Sequence, residues 1–447
     1  MKKIIALLCM LWINLSSAQC VFGEALPLLS KAAMNGNVKE IQRLLESGAN
    51  IHARTNDGWT VLMFAALSGH TQAIQTLLDN RADIHARDND GMTALMLAAR
   101  NGHTQAIQTL LDNRADIHAK NNNGMTALML AAINSHTQAI QTLLNNRADI
   151  HARNNDGWTA LMLSAQYSQI QTIQTLLDNR ADIHARDNSG RTALMIAAYT
   201  GHTQAIQTLL DNRADIHART SDGITALMFA AGNGHPQAIQ TLLDNRADIN
   251  ARDKNGITVL MVAAVGGHPQ AIQTLLDNRA DIHARANNGA TALMLAATGG
   301  HTQAIQILLD NRADIHARAN DGGTALMFAA EMGHTQAIQT LLDNRADIHA
   351  RDDNGRTALM KASWQGHIHA MQTLLDNGAD INAGNNHGYT ALLLASLTQP
   401  KEVVELLLRH GANPNIVSNE GETALSLAYL SPHKGVVALL KKYGAKK

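Results

Sequence analysis

Residues 91–123 read GMTALMLAARNGHTQAIQTLLDNRADIHAKNNN. Thr93 stands before the apolar residues Ala94, Leu95, Met96, Ala98 and Ala99, where its hydroxyl is suited to accept an orphan backbone N–H and cap a short helix. An Asn101-Gly102 break follows. Over residues 103–113, Ala106, Ile107, Leu110 and Leu111 fall at i, i+1, i+4 and i+5, one stripe of a second helix. Two other copies carry Pro236 and Pro269 just after the histidine, where a first helical residue belongs. The rest, ADIHAKNNN, has no helical stripe and reads as an extended stretch running into an Asx-Gly turn.

The glycine that opens this stretch recurs at Gly58, Gly91, Gly124, Gly157, Gly190, Gly223, Gly256, Gly289, Gly322, Gly355, Gly388 and Gly421, an unbroken interval of 33. Thr stands two residues later in all twelve copies, from Thr60 to Thr423, and Leu two residues after that. A chain of 447 residues would ordinarily suggest about three domains of ~150 residues. The fixed period replaces that expectation with one repeat array. A helix, turn, helix and turn-tipped finger cannot bury their apolar faces in 33 residues, whereas stacked copies can. Ten of the 17 methionines form one column, Met63 through Met360, and are read as adaptable core filler. Small alanines dominate the first helix because adjacent repeats must approach closely.

The string Gly-x-Thr-Ala-Leu-Met-x-Ala-Ala-x-x-Gly-His, residues 91–103, resembles the ankyrin repeat family, with its T-P-L-H-x-A signature and Gly-His helix break. The resemblance covers residues 25–447 as thirteen units, two of them incomplete ends. It implies an all-α ankyrin-repeat solenoid, with helix-turn-helix units and short β-hairpin fingers, that holds protein partners with its concave face and fingers. Three positions depart from the family pattern. Its Pro is Val61 or Ala94 here, and its His is Met63 or Met96, which removes the bonds that His makes to the Thr cap. Its glycine after the second helix is Arg in nine copies, from Arg81 to Arg345, and is kept at Gly48, Gly378, Gly411 and Gly444. If those arginines adopt a left-handed conformation, each costs roughly 1 kcal/mol relative to Gly.

The ends read as caps. Residues 25–57 start on a helix without a preceding finger, residues 58–420 are eleven full repeats, and residues 421–447 close the array. In the last unit Lys441 takes the place of the second helical leucine (Leu78 in the first full copy), marking a face with no further neighbour. Residues 1–18 read as a secretory signal, with Lys2 and Lys3, an apolar core from Ile4 to Leu15, and Ser16-Ser17-Ala18 as the cleavage site. An uncleaved anchor is the alternative. Gln19 before Cys20 speaks against a lipid attachment. The expected location is exported, either periplasmic or secreted toward a host. Removing 18 residues leaves 429, which is thirteen times 33, and moves the formal charge from −1 to −3. It also removes Cys9, so Cys20 alone cannot form an internal disulfide.

A net charge of −1 does not suit a nucleic-acid binder, which needs surplus Lys and Arg to replace phosphate counterions. Outside the N-terminus no stretch approaches ~18 consecutive apolar residues, so no membrane span is expected after cleavage. The array is expected to be monomeric. No P-loop, HExxH, CxxC or GxSxG is present, and residues 25–447 stay in register, so the chain reads as non-enzymatic, without cofactor or metal. Asp88-Asn89-Asp90-Gly91 faintly resembles a calcium loop but lacks the bidentate Glu, and is read as a turn. Histidines form two columns: His52, His85, His118 and their equivalents, and a second set after the helix break, such as His70 and His103. Neighbours in one column should lie ~9–10 Å apart, too far to share a zinc ion with bonds of ~2.1 Å. They are read as structural, with joint protonation on acidification as the alternative.

The informative positions are those where the copies differ. After the turn glycine the column reads Trp59, Met92, Met125, Trp158, Arg191, Ile224, Ile257, Ala290, Gly323, Arg356, Tyr389 and Glu422. Before the helix break it runs through Leu67-Ser68, Arg100-Asn101, Gln166-Tyr167, Tyr199-Thr200, Glu331-Met332 and Trp364-Gln365. A third column carries Phe64, Phe229 and Phe328, read as core. Nine of the twelve aromatic residues beyond the signal lie in these columns. Aromatics and arginine dominate interface energetics, and in the ankyrin family such positions face the concave side. Trp59, Arg100, Trp158, Tyr167, Arg191, Tyr199, Arg356, Trp364 and Tyr389 are therefore the candidate contacts for a protein partner. Drift of loosely packed positions after recent duplication, leaving a structural or spacer protein, is the other reading.

Overall fold

The structure is a computed structural model that describes residues 27–433 and 435–446; the expected signal, Cys9 and Cys20 lie outside the described residues. Within them the chain forms twenty-six helices, in pairs, with strand-like pairing confined to three single bridges, Arg54–Thr60, Arg252–Thr258 and Val417–Thr423. The expected hairpin fingers are thus closed mainly by turns. In residues 91–123 the helices are Ala94–Arg100 and Thr104–Asp112. Thr93 is extended and accepts from Met96 N at 3.3 Å, the cap expected from sequence. The first helix is buried from Ala94 through Ala99, whereas the second buries Ala106, Ile107 and Leu110 only. An element apolar on all sides belongs inside a stack, and a one-sided stripe belongs on its outside.

The chain divides into two compact units, one through Asn188 and one from Ser189. Within each, first helices pack on the first helices of adjacent repeats and second helices on second helices. The methionine column fills the first of these interfaces, with Met63 through Met360 at most 1% exposed. It also supplies what the missing histidine would. Thr60, Thr258 and Thr357 donate their backbone N–H to the Sδ of Met63, Met261 and Met360 at 3.4, 3.4 and 3.5 Å. Sulfur is a weak acceptor, so the reciprocal cap that the sequence reading leaves without a partner is weakened in these copies and still present. The last member of the column is exposed Ser426, whose hydroxyl accepts from Thr423 N at 2.9 Å.

In most repeats three positions hold a left-handed backbone, and the space around them differs. At the finger, a Cβ on Gly91 would lie 2.6 Å from Asn122 Oδ1 and 2.9 Å from Asn122 N. At the helix break, a Cβ on Gly102 would lie 2.5 Å from His136 Nδ1. After the second helix, a Cβ on Gly48, Gly378 or Gly411 would meet nothing within 4 Å. The nine arginines occupy this open column, from Arg81 at φ 68° to Arg345 at φ 67°. A side chain is tolerated there because only the intrinsic cost of positive φ remains.

Polar ladders tie each repeat to the next. Histidines of the helix-break column donate Nε2–H to a carbonyl one repeat back: His70 to Met34 O at 3.0 Å, His103 to Leu67 O at 2.9 Å, His268 to Gly232 O at 3.0 Å. At the fingers, Asn89 Nδ2 donates to Asn56 O at 2.9 Å, and Asn89 N to Asp57 O at 3.0 Å. Basic side chains bridge the same fingers, with Arg87 reaching Lys120 O at 2.6 Å and Lys120 reaching Arg153 O at 2.8 Å. On the second helices Asn113 donates to Gln75 Oε1 at 3.1 Å, and Gln75 donates to Asp79 Oδ1 at 2.8 Å. These bonds satisfy helix ends and finger tips that a stack of short elements leaves in surplus.

Candidate protein-binding surface

The variable columns sit at the start of the first helix, along its length and at its C-terminal end, so stacking sets them beside one another within each unit. In the first unit the candidates are half-buried. Trp59 packs against fully buried Phe64, with ring centroids 5.3 Å apart. Phe64 is therefore core, as expected, while Phe229 and Phe328 are half-buried. Burial holds the Arg100 guanidinium below its ordinary range and pushes the Tyr167 phenol up. Trp158 is half-buried, and its backbone N donates to Asn154 Oδ1 at 2.8 Å.

The second unit exposes more. Tyr199 is 41% exposed, Val265 53%, Met332 48% and Trp364 46%, and all four stand at C-terminal ends of first helices. Tyr199 meets Phe229 edge-on, with centroids 6.1 Å apart. From Ile224 through Phe328 the three variable columns carry no charge: Ile224, Phe229, Gly232, Ile257, Val262, Val265, Ala290, Leu295, Thr298, Gly323 and Phe328. Half-buried Arg191 precedes this strip. A charged group follows it. Lys361, only 6% exposed, stands where the other copies have Leu, Phe, Ile or Val and meets Glu331 Oε2 at 3.0 Å and Asp352 Oδ2 at 3.7 Å.

Arg356 and Tyr389 are held by carboxylates inside the fold. Arg356 Nε donates to buried Asp352 Oδ2 at 2.8 Å. The Tyr389 hydroxyl donates to Glu422 and, at 3.1 Å, to Glu420, and the bond to Glu422 leads the causes that push its pKa up. Sequence reasoning did not single out Val265 or Met332, which the structure exposes beside Tyr199 and Trp364 at first-helix ends. Val265 lies in a variable column, but its aliphatic side chain there looks like core. Nor did it find the Lys361 cluster, which needs two adjacent repeats to be stacked.

Two small cavities at finger bases, about 40 and 50 Å³, are lined by Ile216, Arg219, Thr225 and Leu227 and by Ile51, Arg54, Thr60 and Leu62. They have room for a few water molecules, far from the several hundred Å³ of a small-molecule site. Among the described residues no three His, Cys, Asp or Glu side chains are placed to hold a metal ion. No helix among them is long and apolar enough to cross a membrane.

Family models of ankyrin repeats match residues 29–121, 113–187, 180–253, 227–319, 260–352 and 313–385 in three-copy form, and residues 374–428 in many-copy form. The chain belongs to the ankyrin repeat family. Among solved structures, the ankyrin repeat domain of human ASB11 is similar to half of it, with 24% identity, 50% of this chain and 99% of that chain covered, and a TM-score of 0.46. No curated protein matches the sequence. Ankyrin repeats are in general protein–protein interaction modules, and proteins built from them are typically non-enzymatic scaffolds.

Proposed function

We propose that this ankyrin array is a non-enzymatic, exported scaffold that binds a protein partner through the first-helix face and fingers. The location follows from the residues 1–18 signal pattern and is either periplasmic or outside the cell. The observation that carries the binding reading is the exposure of Tyr199, Val265, Met332 and Trp364 at equivalent helix ends of the second unit. Large apolar side chains exposed in a line favour association once a partner covers them. The uncharged strip from Ile224 to Phe328 fits the apolar centre of an interface, and the charged groups beside it fit a rim. Half-buried Trp59, Arg100, Trp158 and Tyr167 add contacts in the first unit.

The test is affinity capture from the exported fraction and from host lysate, followed by substitution of Tyr199, Met332 and Trp364 together by Ala. The triple variant keeps its helicity and loses the partner. Capture unchanged at equal protein concentration favours a spacer role with no specific contact on this face.

A further inference from the structure

One joint of the first unit is built differently from its neighbours. At the preceding joints a helix-break glycine lies under the histidine of the next repeat, as Gly36 does under His70, Gly69 under His103 and Gly102 under His136. At the following joint Ser135 stands for glycine, at φ 60°, and Gln169 stands for histidine. A Cβ on Gly102 would lie 2.5 Å from the His136 ring, and at this joint Gln169 replaces that ring beside the Ser135 side chain. Gln169 keeps the ladder bond but lengthens it, donating Nε2–H to Ile133 O at 3.2 Å against 2.9 Å for His103 to Leu67 O.

A third change completes the joint. Thr172, wholly buried, occupies the column of Ala106 and Ala139, and its hydroxyl lies 3.4 Å from Ser135 Oγ. A contact of that length with half-buried Ser135 recovers little of what the Thr172 hydroxyl loses on leaving water. Ser168, at φ 55°, then repeats the left-handed strain at the next helix break. Two strained serines, a lengthened ladder bond and a polar pair among packed alanines therefore converge on helices Ala127–Ile133, Thr137–Asn145, Ala160–Gln166 and Ile170–Asp178.

We propose that this joint is a built-in point of opening, where the array yields by local unfolding while the preceding repeats stay closed. Stability in a repeat array is a sum of repeat and nearest-neighbour contributions, so a weak joint sets where it parts. Native-state opening follows such differences in local packing.

Hydrogen exchange by mass spectrometry on the full chain tests this. Amides of residues 127–145 and 160–178 exchange about tenfold faster, or more, than those of residues 94–112, given the cost of left-handed serine. End fraying acts against this result, because residues 94–112 lie nearer the N-terminal end of the array. The variant S135G/S168G/Q169H/T172A brings the two sets of rates together. Equal rates in the natural chain would overturn the proposal, as would rates that the variant leaves unchanged.

Discussion

Replacing arginine by glycine after the second helix should make this protein more stable, because the position just past the helix is left-handed and suits glycine. Arg180 sits at φ 67°, with its N–H on Leu177 O at 2.9 Å. The left-handed backbone costs an L-residue about 1–2 kcal/mol. Glycine removes that cost but loses roughly 0.5–1 kcal/mol more chain entropy on folding, leaving a net gain of about 0.5–1 kcal/mol. The backbone bond survives the change. Arg180→Gly should therefore raise the urea midpoint slightly, read by far-UV circular dichroism. R81G/R114G/R147G/R180G in the same unit should raise it by the equivalent of about 2–4 kcal/mol, with little change in slope. The mirror variant Gly378→Ala isolates the φ cost, because a Cβ there meets nothing within 4 Å, and it should lower the midpoint. A quadruple variant no more stable than the natural chain would refute the reasoning.

Further outcomes follow from single groups. Asp88 Oδ1 accepts from Met92 N at 2.7 Å and Asp90 N at 3.0 Å, and burial leads the causes that push its carboxyl up. Its favourable contribution is therefore present below the unfolded value near ~3.9 and lost as pH rises through the folded value. Asp88→Asn keeps both bonds, as Asn121 does at the same position, and should melt higher at neutral pH. A lower melting temperature would count against the burial cost. His136 is held below the usual histidine range, first by burial, so its contribution is full above about 6.5 and lost as pH falls through the folded value. His136→Gln, using the side chain that Gln169 shows can make the ladder bond, should lose less of its unfolding midpoint between about pH 7.5 and about pH 5.5. Parallel losses in both proteins would assign the acid response elsewhere. Lys361→Leu should be neutral or stabilising in thermal melts, since Asp352 keeps Arg356 and Glu331 keeps partial access to solvent. A loss of about 3 kcal/mol or more would instead make the lysine a necessary partner.

Much of the fold was legible because each local signal repeats twelve times. Thr93 and its equivalents, the Ala106-Ile107-Leu110 stripe and the arginine column marked caps, buried faces and left-handed turns where the structure has them. The ladders were not legible. Asn89 reads as an ordinary turn residue until the finger before it is in place, and His103 reads as a spare ring until Leu67 O lies beneath it. Exposure was harder still. Trp59 and Tyr389 attract attention by residue type, but one packs on Phe64 and the other is tied to Glu422. Val265 and Met332 attract none, because burial of an aliphatic residue is decided by neighbours one repeat away. Residue type shows what a contact would be worth, while stacking decides whether the side chain is available to make it.

The central claim is that partner binding uses the variable columns of the first-helix face. Hydrogen exchange with and without the captured partner tests it most directly, with residues 199–200, 265–266, 331–332 and 364–365 set against second helices such as Thr203–Asp211 and Thr302–Asp310. Protection by the partner should concentrate at those first-helix ends and the fingers beside them, leaving the second helices unchanged. Protection centred on the second helices, or absent everywhere despite binding, would contradict it.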